Sequence, residues 1–298
     1  MSELILRRIL ARAALHPMAG QVVDFSQPAG EPALVGPDSV AWQVFRNPVA
    51  LFVGGITAVV LELAEPRVRS GVWDHTTFRS DPLTRMERTG LAAMVTVYGA
   101  RSVAERMIAD VSRLHERVRG VTPAGVEYRA SDPELLDWVQ ATASFGLLEA
   151  YCAFVRPLDA ADRDRFYAEG AEAARLYGAV GAPTSVAGVE ALFQAMRPRL
   201  ERSAIVFEFF DILARTPVFP WPMGGVQALL TRAAVEITPP FAREILGLDA
   251  RYGLRPHEPR RVRALGNLAD RLLLPSSPPA QACRRLGLSP RTLLQRRG

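Results

Sequence analysis

The sequence predicts an all-α fold, in one large domain of many helices. Apolar patterns with helical spacing follow one another along most of the chain, and convincing strand alternation is absent. The 298 residues are 49% hydrophobic and 22% charged, which is ordinary globular composition and enough for a substantial core. We therefore expect about ten helices packed around a shared interior.

The first part of the chain is expected to be an irregular lead-in, residues 1–40, with one short helix. The opening stretch "MSELILRRILARAALHP" has an amphipathic pattern and lacks an apolar core followed by a small-residue cleavage site, so we expect a cytoplasmic protein. Residues 17–47 are rich in Gly and Pro, and Trp42 and Phe45 are expected to dock this segment.

The segment 48–65 is apolar nearly all round, which is typical of a central buried helix. Gly54 and Gly55 reduce the stability of such a helix. A close neighbour, either another helix or a flat ligand, would account for them. The most apolar stretch, Val49–Leu61, is too short to predict a transmembrane helix.

A loop is predicted at 67–81, followed by a helix at 82–98 that starts with Asp81-Pro82. Within this helix Arg85, Arg88 and Thr89 stand at i, i+3 and i+4 and therefore share a face. Two guanidinium groups beside a hydroxyl fit a solvated surface or a site for an anionic group. The spacing alone does not distinguish between these two interpretations.

The next predicted helix spans residues 101–118, and His115 lies on its apolar stripe. The stripe consists of Val103, Met107, Ile108, Val111, Leu114 and Val118. A histidine in such a position is either a core residue bonded to a carbonyl or a neutral ligand of a metal or haem iron. One histidine is too few for zinc but suffices for haem.

The remaining helices follow from capping signals and periodicity. Ser131 and Glu134 have the capping-box spacing before a long helix that runs to about Val155. Residues 275–280, "PSSPPA", are expected to link the domain to a short terminal helix, within a C-terminal extension at 256–298. Further helical patterns occur at 160–178, 186–197, 199–214, 223–235 and 240–247.

Several other polar residues are candidates for a site. His75 is either a loop histidine with a structural hydrogen bond or a polar group of the pocket. Glu62 and Glu65 lie at the end of the buried helix, where an unpaired carboxylate is costly. We expect a pair with Arg85 or Arg88, and the alternative role is that of a general base.

Motifs for the common hydrolytic, metal and nucleotide chemistries are absent. The chain has no HExxH, no pair of ExxH, no GxSxG and no GxxxxGK[ST] sequence. Cys152 and Cys283 are too few for a disulfide framework or a zinc site.

The net charge of +5 comes from 36 basic residues, all arginine, that are scattered along the chain. Scattered charge favours a basic globular protein over a nucleic-acid-binding one. The tail "ACRRLGLSPRTLLQRRG" resembles the recognition half of an AraC-type helix-turn-helix, but without its partner helices a basic amphipathic helix is the preferred interpretation. We expect no nucleic-acid partner.

Four motifs in order carry a family resemblance over roughly residues 40–255. They are "LELAEPRVRSGVWDHTTFRSDPLTRMERT", Tyr-Gly at 98–99, "HERVRG" at 115–120 and "YRASDPELLDWVQAT" at 128–142. Their order and spacing resemble the MpaB and latex clearing protein (rubber oxygenase) family.

The resemblance implies a globin-reminiscent domain at 41–255 that holds one b-type haem and uses dioxygen on an apolar substrate, with a possible electron donor. It maps the proximal iron ligand to His115. It places Arg85, Arg88 and Thr89 in the distal pocket, with His75 nearby and both arginines beside the haem. The alternative is a non-catalytic haem or apolar-ligand binding protein on the same fold.

The chain departs from the family pattern at three positions. Arg88 stands where the rubber oxygenases have a lysine, and arginine cannot lose its proton to ligate iron. Glu65 and Gln140 stand where relatives often have histidine, so no metal role is expected at Gln140. The identity of the substrate does not transfer across these changes.

Overall fold

The computed structural model describes residues 23–219 and 223–295, and these residues confirm the all-α prediction. The predicted N-terminal helix lies outside the described residues. Numbered in chain order, the helices are α1 Val40–Phe45, α2 Pro48–Glu62, α3 Pro66–His75, α4 Pro82–Tyr98, α5 Arg101–Arg117, α6 Pro133–Phe154, α7 Ala160–Glu169, α8 Ala171–Leu176, α9 Val186–Met196, α10 Ala204–Arg215, α11 Gly224–Ile237, α12 Pro240–Leu246, α13 Glu258–Asp270, α14 Pro278–Arg285 and α15 Thr292–Gln295. A 3₁₀ turn, Arg197–Arg199, follows α9, and a hairpin of β1 Arg119–Val121 and β2 Glu127–Arg129 follows α5.

The centre of the fold is the crossing of α2 and α6, the two most apolar long helices. Gly54 and Gly146 meet at this crossing. A Cβ on Gly54 would lie 2.6 Å from Leu147 Cα, and a Cβ on Gly146 would lie 2.3 Å from Gly54 O. No other residue type fits there without separating the helices, so the expected close neighbour of Gly54 is another helix.

Helix starts follow the local sequence chemistry closely. Asp81 caps α4 as predicted, because its Oδ1 accepts a hydrogen bond from Thr84 N at 3.3 Å. The cap of α6 is Asp132, which accepts from Glu134 N at 3.0 Å. The predicted capping box of Ser131 with Glu134 is therefore wrong by one residue, since Asp132 is an equally good cap one position later.

Four boundaries differ from the prediction. The predicted loop at 67–81 contains helix α3, because Glu65 caps it and Pro66 begins it. The patterns at 160–178 and 199–214 begin or break elsewhere, since Gly170 separates α7 from α8 and Ser203 caps α10. Residues 275–277 form a turn, and α14 already begins within the predicted linker.

The lead-in and the C-terminal segment pack against the helical domain. Trp42 is fully buried and its Nε1 donates to Val35 O at 2.9 Å, which confirms that it docks the lead-in. Asn47 Nδ2 donates to Gly266 O at 3.0 Å, so α13 lies against the start of α2. Buried Arg285 donates to the carbonyls of Phe25 and Tyr98 at 2.7 and 2.8 Å. This guanidinium is therefore committed to the fold, which weakens the case for a DNA-binding tail.

None of the described helices alone has the length and hydropathy of a membrane span. Helices α2 and α3 meet the criteria of length and composition only when joined, and they are bent by 111° at the break between them.

Candidate functional site

One face of α2 differs from the rest of that buried helix. Phe52, Gly55, Val59 and Glu62 recur at helical spacing and keep accessible surface, whereas residues 53–54, 56–58 and 60–61 between them are buried. A Cβ added to Gly55 would meet no atom within 4 Å. This strip, which we call the α2 strip, leaves room beside the backbone at Gly55 and ends in a carboxyl group.

Glu62 is the carboxyl group at the end of the α2 strip. It keeps some accessible surface, but the surrounding protein removes most of its hydration, and burial raises its pKa to about 7. The positive charge of Arg85 acts in the opposite direction and lowers this pKa. Because burial is the larger effect, Glu62 can hold or release a proton near neutral pH.

Arg85 on α4 is half-buried and interacts electrostatically with Glu62, but no hydrogen bond or ion pair joins the two side chains in the described part of the chain, so the expected pairing stays a prediction. Burial lowers its pKa, the charge of Glu62 raises it, and the charge of Arg88 lowers it further. Its Nη1 donates to Thr89 Oγ1, and Thr89 Oγ1 donates to Arg85 O at 3.0 Å. Thr89 therefore fixes the direction of the Arg85 side chain.

Arg88 and Thr89 share the helix α4 with Arg85, but both are exposed. The side chain of Arg88 makes no hydrogen bond or ion pair with any residue in the described ranges. The three residues are thus close in space, as the spacing required, and of the three Arg85 is the one that reaches the half-buried region with Glu62.

His115 lies near the C-terminal end of α5 and is half-buried. Burial lowers its pKa, and the charge of nearby Arg85 lowers it further, so the imidazole is neutral at pH 7. Its Nδ1 is buried without a hydrogen-bond partner among the described residues, whereas Nε2 keeps accessible surface. A neutral imidazole with one free ring nitrogen is the form that binds iron.

The predicted apolar stripe of α5 is wrong at Leu114, whose side chain is 59% exposed. Ile108 is buried, and Val103, Met107 and Val118 pack against the core as partly buried residues. The helix turns its charged residues and Leu114 outward because α5 lies at the surface of the domain rather than inside it.

His75 lies at the end of α3 rather than in a loop. A hydrogen bond of 3.2 Å joins its Nε2 to the hydroxyl of Tyr128 in β2, and the two rings are edge to face. No hydrogen bond, ion pair or ring contact joins it to Glu62, Arg85 or His115 in the described part of the chain. These contacts favour the structural role over the pocket role.

Glu65 does not pair with Arg85 or Arg88, so that expectation is wrong for this residue. The side chain is buried and caps α3, accepting from Val68 N at 2.8 Å and from Arg67 Nε at 2.7 Å. Its negative charge is stabilised by the helix start and by a neighbouring guanidinium.

Gln140 donates from Nε2 to Ser144 Oγ at 3.3 Å, one turn further along α6. Within residues 23–219 and 223–295, no group of three or more His, Cys, Asp or Glu side chains could hold a metal ion. A haem iron needs only one axial ligand from the protein, so the single imidazole of His115 is sufficient.

Three features of these residues are compatible with haem binding. His115 offers an accessible Nε2, Arg85 offers a half-buried cation, and the α2 strip offers open space at Gly55. Sequence reasoning missed the α2 strip, although the seven-residue interval between Gly55 and Glu62 signals a shared helical face. It also missed Tyr128 as the partner of His75, which only the tertiary structure brings together.

Comparison with known proteins gives one match. No curated protein and no solved structure matches the chain. The family model described as "ER-bound oxygenase mpaB/B'/Rubber oxygenase, catalytic domain" matches residues 42–271, which is more than half of the chain. The chain therefore belongs to the mpaB and rubber oxygenase catalytic-domain family.

Proposed function

We propose that the protein is a haem b-dependent oxygenase that acts with dioxygen on an apolar substrate. The observation that carries the proposal is His115, a neutral and half-buried imidazole with Nε2 free and with Arg85 close by. Arg85 also interacts electrostatically with Glu62. Family membership supports the oxygenase class.

His115 would hold the haem through Nε2 in this proposal. Burial and the charge of Arg85 keep the ring neutral, and so keep the lone pair available at neutral pH. When bound, the haem supplies an iron that binds and activates dioxygen. The Nδ1–H has no partner among the described residues, so no protein acceptor there increases the basicity of the ligand.

Arg85 and Arg88 supply fixed positive charge at the site. Arg85, oriented by Thr89, can donate to a carboxylate such as a haem propionate or to an oxygen atom of a bound molecule. The guanidinium of Arg88 can act as a hydrogen-bond donor and a positive charge but not as an iron ligand.

Glu62 is the residue that we assign to proton handling. A carboxyl group with a pKa of about 7 is nearly evenly divided between its acid and its base form at neutral pH. That is the condition under which a side chain transfers protons efficiently. Glu62 keeps its electrostatic interaction with Arg85 in this role. The positive charge of Arg85 limits how far burial raises the pKa of Glu62.

The α2 strip supports an apolar substrate. Phe52 and Val59 are apolar side chains with accessible surface on the same face as Glu62, and Gly55 between them leaves space for a ligand. An apolar wall that ends in one polar group is typical of sites that bind apolar molecules and orient one end of them. The proposal also includes an electron donor as a partner of the protein and a cytoplasmic location.

The absorption spectrum of protein purified after growth with added haem tests the cofactor. We expect a Soret band at stoichiometric haem content. Purified, folded protein that shows no Soret band and takes up no haem on titration would contradict the proposal.

Non-catalytic haem binding is the second candidate, because binding of haem by His115 does not by itself require turnover. Oxygen uptake by the haem-loaded protein with a reductant and a set of apolar alkenes separates the two. Substrate-dependent uptake with formation of oxygenated product supports the oxygenase. Stoichiometric haem without turnover on any of the alkenes supports the binding protein.

A further inference from the structure

The β hairpin exposes an unusual concentration of apolar side chains at its tip. Val121 and Val126 are 57% and 50% exposed, and the turn between them carries exposed Pro123 and Ala124. Thr122 N donates to Val126 O at 2.8 Å and closes this turn. Leu114, on the last turns of α5 before the hairpin, is the other large exposed aliphatic of this region.

Arginines surround the base of this apolar tip. Arg119 and Arg129 are cross-strand partners and are both exposed on the outward face, with Glu127 as the one acidic residue of the two strands. Arg117 ends α5 just before them and is also exposed. None of the three guanidinium groups makes a hydrogen bond or ion pair with another described residue.

The hairpin is nevertheless firmly held at its inner face. Tyr128 is buried and bonded to His75 at the end of α3, and a Cβ on Gly120 would lie 2.6 Å from the Tyr128 hydroxyl oxygen. Ala130 N donates to Val118 O at 2.9 Å, which ties β2 to the segment that follows α5. The apolar tip is therefore presented by a fixed base.

We propose that this hairpin docks on the surface of an anionic lipid bilayer, with Val121 and Val126 in the headgroup layer. An apolar tip beside three exposed arginines without side-chain partners suits such an interface, because aliphatic groups enter the acyl boundary while guanidinium groups bind lipid phosphates. A few aliphatic side chains cannot supply the roughly 800 Å² that each partner contributes to a standard protein interface.

Docking would place the surroundings of His115 next to the bilayer, since Val118 N donates to His115 O at 3.0 Å just before β1. An apolar substrate dissolved in the membrane would then be close to the candidate site. Lipid binding itself requires neither haem nor turnover, so its test is independent of the proposed function.

Sedimentation of the full-length protein with vesicles tests the proposal. The vesicles contain phosphatidylcholine alone or with about one third phosphatidylglycerol. We expect binding to the anionic vesicles that weakens as salt is added. The double variant Val121→Asp/Val126→Asp should bind at least tenfold more weakly, and Arg119→Gln/Arg129→Gln roughly tenfold more weakly.

Leu288→Asp is the matched control, because this leucine is 38% exposed and follows α14, whose Arg285 bonds to the carbonyl of Tyr98 at the end of α4. Tyr98 comes just before the start of α5, whereas the hairpin follows the end of α5. It should bind vesicles like the wild type. Equal unfolding midpoints establish that each variant is folded.

Three results would overturn the proposal. The first is a wild type that does not bind anionic vesicles. The second is undiminished binding by Val121→Asp/Val126→Asp, which would assign lipid contact elsewhere, such as to the amphipathic N-terminal sequence. The third is self-association in the absence of vesicles that this double variant abolishes, which would identify the tip as a contact between two copies of the chain.

Discussion

Two faces of helix α2, marked by the adjacent glycines Gly54 and Gly55, differ in how closely they are packed. At Gly54 the helix touches the backbone of α6 so closely that a single added carbon would collide with it. At Gly55 the same addition meets nothing within 4 Å, and seven residues later the same face presents Glu62. One face is closed for stability, and the other is left open and bears an ionisable group.

The comparison shows that a buried helix can have a packing face and a binding face that are each marked by glycine. Glycine at a helix crossing allows the two helices to approach closely, and this packing offsets the low helix propensity of glycine. Glycine on an open face has no such compensation in the protein alone. We infer that a ligand in the open space at Gly55 compensates for the low helix propensity of this glycine.

The largest expected effect comes from closing the crossing with a side chain. Gly146→Ala would place a Cβ 2.3 Å from Gly54 O, and backbone atoms cannot rotate away as a flexible side chain can. We expect a loss of about 3 kcal/mol or more in the free energy of unfolding. Chemical denaturation monitored by circular dichroism measures it. A loss below about 0.5 kcal/mol would show that α2 and α6 are not packed as described.

A smaller effect is expected at the ionisable end of the open face. Burial raises the folded-state pKa of Glu62 from 4.5 to about 7, so its contribution to stability is full below pH 4.5 and is lost as pH rises to about 7. Glu62→Gln lacks this titration. The variant should therefore gain up to about 3 kcal/mol relative to wild-type apoprotein between pH 4 and pH 8.

Denaturation of both proteins across this pH range measures the difference. Glu65→Gln is the matched control, because Glu65 is paired with Arg67 and caps α3. That variant should be less stable than the wild type at pH 8, by about 1–3 kcal/mol. Parallel stability curves for Glu62→Gln and the wild type would disprove the raised pKa.

Gly55→Ala should increase the free energy of unfolding, whereas Gly146→Ala at the crossing should decrease it. Alanine is about 1 kcal/mol better than glycine in a helix interior, and the added methyl group meets no atom. We expect the apoprotein to be stabilised by about 0.5–1 kcal/mol in the same denaturation experiment. Destabilisation comparable to that of Gly146→Ala would mean that the two faces do not differ.

The smallest stability effect is expected at Arg88. Its side chain is exposed and unpaired within the described residues, so Arg88→Lys should change the free energy of unfolding by less than about 0.5 kcal/mol. Any effect of this substitution on the absorption spectrum of haem-loaded protein then reports on the site rather than on folding. A large loss of stability would place Arg88 in the packing of α4.

Sequence periodicity was sufficient for the long helices, because α2, α4, α5 and α6 combine strong apolar patterns with clear Pro, Gly and Asp signals at their ends. It failed for α3, whose polar sequence lacks a distinct stripe and is helical because Glu65 caps it. The hairpin was also missed, since strands of three residues are too short to show alternation.

The candidate site was less accessible to sequence reasoning than the fold. Spacing showed that Arg85, Arg88 and Thr89 share a helical face, but it could not show that Arg85 alone is half-buried. Two carboxylates near the end of α2 looked equivalent, and only the backbone path shows that Glu65 caps a helix while Glu62 faces Arg85. Burial and pairing depend on tertiary contacts between distant segments, which the local sequence does not determine.

The most direct test of the central claim is haem binding by His115→Ala, measured as the Soret absorbance of the purified and haem-titrated protein. The control is His257→Ala, a histidine at the start of α13 that is not part of the candidate site. The account predicts stoichiometric haem in the wild type and the control, and loss of the Soret band in His115→Ala with unchanged helicity. Stoichiometric haem retained by His115→Ala would contradict the assignment of His115 as the iron ligand.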